Sequence, residues 1–368
     1  MVILESGEKM KQAFMPRLLP PKLSSEDIID LLHLEAEAIA KISRCNIMME
    51  RSVVREHVMS LFALNESVQS TKIEGTQATI SDVYESEATG VENTDIIEVK
   101  NYMEALRKGE ALLSTLPIST RMFHELHKLL LNNARGQNRS PGEFRKTQNY
   151  IGPTDKIEDA TYIPPSASEI DTLMSNLERY INDEITDSMG VLSKAAIIHA
   201  QFETIHPYLD GNGRLGRILI VLYLLSKGTI QSTNFFLSRE LEKNKYQYYA
   251  LLNGIRNEEP KWKNWITFFI QSASRQADYY IDKLLRIEHV ASKLMHEADK
   301  LGVRDAVIYA ICKRPIFTIN YIKEMCGMSY ETARKHVQKL ADAGFIYPDD
   351  RKRNKTYRYY ELLDVLRD

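Results

Sequence analysis

The stretch from His206 to Arg217, HPYLDGNGRLGR, decides how the middle of this chain is interpreted. It contains G-N-G-R-L-G, which matches the dinucleotide-binding pattern G-x-G-x-x-G. That pattern needs a β-strand immediately before it. The preceding residues, AAIIHAQFETI, instead carry apolar side chains at steps of three and four, which predicts a helix. We therefore do not expect a Rossmann fold here.

The same stretch suits a phosphate site placed between two helices. Pro207 disfavours helical backbone at His206, so the first helix should end there and a second should begin near Asn212. Gly211 and Gly213 allow the backbone to approach a ligand closely. Free N–H groups at the start of a helix bind anions. An ordinary turn between two helices is the alternative.

Charged residues within the stretch favour the phosphate site. Arg214 and Arg217 lie three apart on the second helix, so both can face one anion. Asp210 can offer an oxygen to Mg²⁺ bound to phosphates. His206 is placed to accept a proton from a nucleophile. A plain turn with solvated arginines explains each residue singly but not their combination.

The stretch resembles the signature of the Fic family, H-P-F-x-[D/E]-G-N-G-R-x-x-R, and departs from it only at Tyr208, which replaces Phe. The upstream pieces PGEFRKTQNYIG and TYIPP resemble the flap of that family. The resemblance covers roughly residues 115–260, and the helices before them resemble the N-terminal region often attached to it. It implies a mainly α fold, a Fic-type helical bundle with a small β-hairpin flap.

The resemblance also implies an activity, the transfer of AMP from ATP to a Tyr, Thr or Ser hydroxyl of a target protein or of the chain itself. His206 would then be the general base and Asp210 would hold Mg²⁺. Tyr249 and Asn257 are candidates for contact with adenine, although tyrosines at that position equally suit a helix packed into the core. The implied ATP-binding set is Gly211, Asn212, Gly213, Arg214, Leu215, Gly216, Arg217, Tyr249 and Asn257.

Two short β-like pieces, 149–151 and 161–163, predict a hairpin on the helical body. Its edge at Thr161, Tyr162, Ile163 and Pro164 would pair with an extended segment of the target through main-chain hydrogen bonds. An ordinary surface hairpin is the alternative.

A second resemblance lies at the end of a helix expected at about 49–75. Ser70 and Glu74 share a helical face, and Gly75 follows as a C-cap, which alone indicates only a surface glutamate. Many Fic proteins carry an inhibitory helix with [S/T]-x-x-x-E-[G/N], whose Glu pairs with the second motif arginine, here Arg217. The alternative role for the same carboxylate is to orient a water that removes AMP from a modified protein, and the sequence does not separate the two roles.

The stretch from 302 to 368 predicts a winged helix, after an N-terminal region at 1–114 and a catalytic domain at 115–298. Its second helix and its loop DDRKRNK would contact DNA phosphates, while protein contact or dimerisation is the alternative. A DNA-binding regulator whose Fic body only senses nucleotide is thus a second hypothesis. The candidate DNA contacts are Arg334, Lys335, Arg351, Lys352, Arg353 and Lys355.

Composition limits the remaining possibilities. The net charge of −2 gives no global reason to bind nucleic acid or membranes, and 43% hydrophobic content is that of a soluble globular protein. Three distant cysteines predict a reducing, cytoplasmic setting without disulfides or a zinc site. We expect neither a signal peptide nor a membrane-spanning helix. The family resemblance and long helical faces favour a homodimer.

Overall fold

A computed structural model describes residues 12–52, 55–152, 154, 156–351 and 354–367. The chain is 65% helical and has a three-stranded sheet, which confirms the mainly α fold predicted from the sequence. The helices are α1 Ser25–Arg51, α2 Arg55–Ile73, α3 Ile80–Thr89, α4 Thr94–Leu113, α5 Thr120–Leu130, α6 Ile170–Ile181, α7 Val191–Ile205, α8 Asn212–Ser226, α9 Ser238–Lys243, α10 Lys245–Ile255, α11 Trp262–Lys300, α12 Asp305–Lys313, α13 Ile319–Met325, α14 Tyr330–Asp342 and α15 Tyr360–Arg367. The strands are β1 Ile316–Thr318, β2 Tyr347–Pro348 and β3 Thr356–Arg358.

The paired helices α7 and α8 form the centre of the bundle. Every residue from 195 to 205 and from 214 to 224 is buried, because both helices are apolar on nearly all sides and other helices surround them. The buried indole of Trp265 in α11 donates to the carbonyl of Ala196 at 2.8 Å. The loop between α7 and α8 is therefore held by a rigid scaffold.

Two helix boundaries near the N-terminus differ from the expected ones. Apolar spacing in the sequence predicts a first helix from Ser25 to about Arg44, but this helix continues to Arg51, and the second begins at Arg55 instead of Met49. The buried stripe of α1 runs on through Cys45 and Met49, so the same face stays packed for two further turns. The backbone becomes extended at Ser52, which ends the helix there.

Helix α3 has no counterpart in the sequence-based expectation. Its start carries a capping box, in which the side chains of Thr79 and Asp82 each bond to the other's backbone N–H. That pattern, T-x-x-D before an apolar residue, could have predicted the helix. α3 packs against α4 and against the C-terminal elements.

The C-terminal elements follow the order α12-β1-α13-α14-β2-β3-α15, and the antiparallel sheet has the strand order β1-β3-β2. The sequence predicts strands around 345–347 and 357–360, whereas the structure has them at Tyr347–Pro348 and Thr356–Arg358, because Tyr360 begins α15. The sequence predicts a helix from 318 to 326 and no strand before it, so β1 was not expected.

The candidate DNA-contacting residues lie at two places on these elements. Arg334 and Lys335 are exposed on α14, and Arg334 pairs with Glu331 of the same helix at 3.2 Å. Lys355 is exposed before β3, whereas Arg351 pairs with Glu85 of α3 at 2.7 Å. Lys352 and Arg353 fall outside the described residues.

The expected hairpin is smaller than the sequence suggests. It consists of one antiparallel bridge between Ile151 and Tyr162, and a single 3₁₀ turn at Ile157–Asp159 lies between these two residues in the chain. The intervening polar residues bond among themselves, for example Thr154 to Asp159, and so supply no further ladder. No described helix is long and apolar enough to cross a bilayer.

Candidate active site

His206 ends α7 in a left-handed conformation, with φ of 49°. Such a backbone is strained for a residue other than glycine and persists only where its surroundings hold it. Two hydrogen bonds hold it here, from its own N–H to Phe202 at 2.9 Å and from Arg145 Nε to its carbonyl at 3.0 Å. The imidazole is therefore presented from a fixed position.

The charge state of His206 follows from its burial. Burial, with the nearby positive charge of Arg256, lowers the pKa of the imidazole to about 3, so the ring is neutral near pH 7. Its Nδ1 faces the carbonyl of Glu203 at 3.4 Å and the carboxylate Oε2 of that residue at 3.9 Å. Nδ1 carries the proton in this arrangement, which leaves Nε2 free as a base.

A candidate anion site follows at the start of α8. Gly211 caps the helix in a left-handed conformation with φ of 76°, a backbone that glycine adopts without strain. The side chain of Asp210 accepts from Gly211 N at 2.6 Å and from Arg214 Nη2 at 3.3 Å. The first N–H groups of α8 then have no partners within the helix, which makes them available to an anion.

Arg214 is buried beneath this site. Its Nη1 lies 3.7 Å from Glu98, whose carboxylate is also held by Arg135 at 2.7 Å and Thr76 at 2.8 Å. Among the described residues, Arg214 Nε and Nη1 have no hydrogen-bond partner. Buried guanidinium donors normally find a partner, so a bound anion such as a phosphate suits this position.

Arg217 points from α8 toward α2. Its Nε donates to the hydroxyl of Ser70 at 2.8 Å, and its Nη2 donates to the Ser70 carbonyl at 2.9 Å and to Glu74 Oε1 at 2.7 Å. Burial opposes the charge of Arg217, yet the carboxylate of Glu74 raises the pKa of the guanidinium above its usual range. The structure thus brings together the inhibitory-helix motif, with Ser70 and Glu74, and the second motif arginine, Arg217. We call the Glu74–Arg217 pair the Glu74 lock. Gly75 follows with φ of 100°.

Glu74 occupies space that an anion would use. A Cβ on Gly213 would lie 2.2 Å from Glu74 Oε1, so the carboxylate stands directly over the first turn of α8. Burial would raise the pKa of Glu74, but the charge and hydrogen bond of Arg217 outweigh it, and the pKa is lowered. The side chain keeps 34% of its exposure, so it faces an opening and can be displaced.

Three members of the implied ATP-binding set do structural work. The Asn212 side chain bonds to both the N–H and the carbonyl of Tyr208, at 2.9 and 2.8 Å, which fixes the loop. Leu215 is a buried core residue. Gly216 allows α7 and α8 to meet, since a Cβ there would lie 2.6 Å from Glu203 Oε1. These three residues therefore stabilise the loop and the α7–α8 packing that support the site.

Glu203 is the buried acid that the sequence reasoning missed. Burial raises the pKa of its carboxyl to about 7, and Oε1 has no hydrogen-bond partner within the described part of the chain. It lies three residues before His206 on α7, so the shared helical face was the available signal.

Two other supporting residues were also missed. His127 accepts from Gly142 N at Nδ1 and lies 2.9 Å from the Asp210 carbonyl at Nε2, so its neutral ring holds the loop. Arg145, within PGEFR, is buried and bonds to the backbone of both His206 and Thr147. Neither residue has a motif that would reveal this role, because both act across long sequence separations.

The two adenine candidates lie in different places. Tyr249 is 40% exposed beside the buried Tyr248, and the negative charge of Glu74 adds to burial in raising the pKa of its phenol. Tyr249 therefore lies near the anion site. Asn257 bonds back to Asn253 at 2.9 Å and lines a cavity of about 300 Å³ with the chain's N-terminal segment.

The flap edge is already in contact with the chain's own N-terminal segment. Tyr162, Ile163 and Pro164 are buried, and only Thr161 is exposed. The N–H of Phe14 donates to the carbonyl of Ile163 at 2.9 Å. The expectation of an open edge is therefore wrong at Ile163, because residues near Phe14 cover it.

The residues around the anion site suit a nucleotide-bound cation. Asp210 keeps 40% of its side-chain exposure, and no cluster of three or more His, Cys, Asp or Glu within the described ranges could form a metal cage. Mg²⁺ commonly takes one carboxylate and completes its shell with phosphate oxygens and water. Asp210 is placed for that arrangement.

Comparison with known proteins identifies the family. Residues 117–224 match the Fic/DOC family, and residues 32–111 match the N-terminal region of the Fic/DOC family. The first N–H groups of α8 at the candidate anion site form what we call the nest. Together with His206, this nest, Arg214 and Arg217, these matches define a Fic-type helical protein. The chain belongs to the Fic/DOC family.

The relatives agree with this assignment. The chain is 32% identical over 118 residues to "Protein adenylyltransferase Fic" of Drosophila grimshawi, across 32% of this chain and 22% of that protein. It is 26% identical over 171 residues to the protein of the same name from Drosophila yakuba, across 46% of this chain and 31% of that protein. The chain thus spans less than a third of the length of these relatives.

Solved structures share the fold. A Fic family protein from Desulfovibrio desulfuricans superposes with a TM-score of 0.59 at 19% identity, over 93% of this chain and 98% of the other. A Fic domain containing signaling protein from Bacteroides thetaiotaomicron gives a TM-score of 0.52 at 18% identity, over 66% and 95% of the two chains.

Proposed function

We propose that this protein transfers AMP from ATP to a hydroxyl side chain of a protein. The observation that carries the proposal is the buried Arg214, which reaches Asp210 next to the helix cap at Gly211 and whose Nε and Nη1 have no hydrogen-bond partner among the described residues. His206, which is neutral near pH 7, ends the preceding helix. The relatives named protein adenylyltransferase support the same reaction. A target protein is then the second substrate, and the chain itself is a candidate target.

The reaction follows from these positions. The hydroxyl oxygen of the target attacks the α-phosphorus of ATP, and its proton passes to His206 Nε2. The bond from that phosphorus to the bridging oxygen breaks, and pyrophosphate leaves. The nest and Arg214 stabilise negative charge on the phosphates, so the protein contributes mainly position and electrostatics.

Mg²⁺ is the cation that we assign to Asp210. When bound, such an ion neutralises charge on the phosphate oxygens. Arg214 bonds to the same carboxylate at 3.3 Å, which fixes its orientation beside the nest.

We further propose that Glu74 inhibits the reaction. Its carboxylate is bonded to Arg217 and stands over the first turn of α8, where the outer phosphates of a productively bound ATP would lie. Negative charge at that place repels phosphate and occupies the guanidinium that would bind it. ATP then binds without correct placement of its α-phosphorus.

Labelled ATP provides the direct test. The Glu74→Gly protein, incubated with Mg²⁺ and ATP labelled in the α-phosphate, should incorporate label into itself, and His206→Ala in the same background should not. Mass spectrometry then identifies the adduct and the modified residue. Labelling that persists in His206→Ala contradicts the proposal. The absence of labelling both with ATP and with the other nucleotides as donors contradicts it as well.

Removal of AMP from a modified protein is the second candidate reaction. The observation that favours it is the exposed side of Glu74, a carboxylate with lowered pKa that would orient a water near the phosphorus. Glu74→Gly would then lose hydrolysis of an AMP-modified acceptor while gaining transfer. Unchanged hydrolysis in Glu74→Gly would exclude this role.

DNA binding by residues 302–368 is a third candidate, supported by the element order α12-β1-α13-α14-β2-β3-α15 and by the exposed Arg334 and Lys335. The ion pair between Arg351 and Glu85 opposes it, because it engages one of the basic residues. Binding that weakens steeply with salt would support it.

We also propose that the protein is cytoplasmic and forms a homodimer. Light scattering of the purified protein would test the homodimer.

A further inference from the structure

We propose that the chain's own N-terminal segment, residues 12–24, occupies the docking edge of the flap and must leave before a target can pair there. The inference rests on the proposed transfer to a protein target and adds a second control to that site. It differs from the Glu74 lock because it would restrict the target and leave ATP binding unaffected.

Only one side of the flap strand is available for pairing. Tyr162 uses both its N–H and its carbonyl on Ile151, at 3.0 and 2.8 Å. Main-chain groups alternate in direction along an extended strand, so the carbonyl of Ile163 points the other way. That outward carbonyl is the one that accepts from Phe14 at 2.9 Å. The segment therefore uses the same type of bond that an added target strand would use.

Side-chain packing strengthens this contact at the same place. The ring of Phe14 lies 6.2 Å from the ring of Tyr162, whose hydroxyl donates to the carbonyl of Thr204 at 2.6 Å. Thr204 is two residues before His206. The segment is thus seated on the flap residue that bonds to α7, the helix that ends at the general base.

Bonds to its backbone and burial of two side chains hold the rest of the segment. Gln201 of α7 donates to the carbonyl of Arg17 at 3.1 Å. Asn176 of α6 bonds to both the N–H and the carbonyl of Leu19, at 2.8 and 3.3 Å. Pro16 and Leu19 are buried. These contacts keep Phe14 close to the flap at a high effective concentration.

The segment cannot itself accept AMP where it lies on the flap. From Gly7 to Leu23 the sequence contains no Ser, Thr or Tyr. The next hydroxyl, on Ser24, accepts from Asp27 N as the cap of α1. An occupant without a hydroxyl blocks the edge and is not consumed by the reaction.

The contact with the flap is also weak enough to be replaced. A single described main-chain hydrogen bond joins the segment to the flap, and one such bond adds little net stability because water competes for both groups. A target segment that pairs at several positions would displace it. The segment therefore raises the target concentration required and does not close the site permanently.

The test uses the full chain with the two anchoring amides removed. Asn176→Ala with Gln201→Ala leaves the flap and the segment unchanged but removes three backbone bonds to the segment. Gln338→Ala on α14 is the matched control, since that amide bonds within its own helix, to Asp342, and has no hydrogen bond to the N-terminal segment within the described part of the chain. A photo-crosslinking amino acid replaces the exposed Thr161 in every variant.

The probe is dephosphorylated casein, an unstructured protein rich in hydroxyls, with ATP omitted. We expect the double variant to capture several-fold more casein than the parent, and Gln338→Ala to match the parent. A peptide of residues 12–23 added in excess should reduce capture by the double variant. Equal capture by the parent and the double variant, including none by either, overturns the proposal.

Kinetics in the Glu74→Gly background separate this inference from the proposed activity. Release of the segment should lower the KM for casein several-fold and leave the KM for ATP unchanged. Equal changes in both constants would show a general structural effect instead and overturn the inference. Absence of labelling in every variant would contradict the proposed transfer, while the crosslinking result would still decide whether the segment covers the edge.

Discussion

Glu74 Oε1 lies 2.7 Å from Arg217 Nη2 and joins residues 143 positions apart in the chain. The pair links the end of α2 to the first turns of α8, at the position that we assign to the outer phosphates of ATP. Ser70 holds the other side of the guanidinium through two more bonds. Two of the three nitrogens of this guanidinium, Nε and Nη2, are therefore bonded to Ser70 and Glu74 in this structure.

Replacement of Glu74 should activate the protein. Glu74→Gly removes the negative charge over the nest and frees Arg217, so we expect AMP transfer to rise roughly 5- to 150-fold, the range of typical coupling energies. Incorporation of labelled AMP per molecule is the measurement. Ser70→Ala serves as a graded comparison, because it removes one bond to Arg217 but keeps the carboxylate, and its gain should be smaller. No gain with Glu74→Gly would exclude the lock.

Loss of His206 should abolish transfer without unfolding the chain. His206→Ala in the Glu74→Gly background removes the neutral base, and we expect labelling to fall by at least about 100-fold, the usual contribution of general-base catalysis. The matched control is His33→Ala, since His33 is exposed on α1. Thermal unfolding of both variants shows whether the fold is kept. Comparable losses in the two variants would contradict the role of His206.

Gly216 should be required for packing between α7 and α8. A Cβ at this position would lie 2.6 Å from Glu203 Oε1 and 3.2 Å from His199 and Phe202, so Gly216→Ala should lower the free energy of unfolding by about 1–3 kcal/mol.

Gly254→Ala is the comparison in another helix, because its new methyl group meets nothing closer than 4.0 Å. It should raise stability by up to about 1 kcal/mol, the difference in helix propensity. Denaturant titration measures both changes, and a stable Gly216→Ala protein would refute the packing role.

Glu203 should make stability depend on pH. Its pKa in the folded state is raised to about 7, so the unfolded chain releases the proton first as pH rises above about 4.5. The free energy of unfolding should therefore fall between these pH values, by on the order of 2 kcal/mol, and then level off. Glu203→Gln cannot ionise and should remove this decline. Denaturant titrations at pH 5 and pH 8 give the free energy of unfolding of both proteins. An equal change between the two pH values in the parent and in Glu203→Gln would contradict the assignment.

The sequence alone determined the helical class and the local order of the α7–α8 loop. A helix end at His206, a glycine cap at Gly211 and a new helix start follow from neighbouring residues, because proline and glycine restrict or free the backbone locally. Residues such as Asp210 and Arg214 lie within four positions of each other, so their shared face was also predictable. The exact ends of the helices were not predictable from the sequence. Helix α1 continues past Arg44, because the stripe of buried residues along it continues past that point.

Tertiary structure decided what the local motifs contact. Glu203, Glu98, His127 and Arg145 have no motif of their own, and they support the site through contacts across the fold. The side of the flap at Ile163 is covered by Phe14, nearly 150 residues earlier, which no local pattern encodes. Whether an edge is open, or an arginine engaged, depends on which distant segments pack against it. Burial then sets the charge of His206 and Glu203, since their pKa values respond to surroundings that only the folded chain assembles.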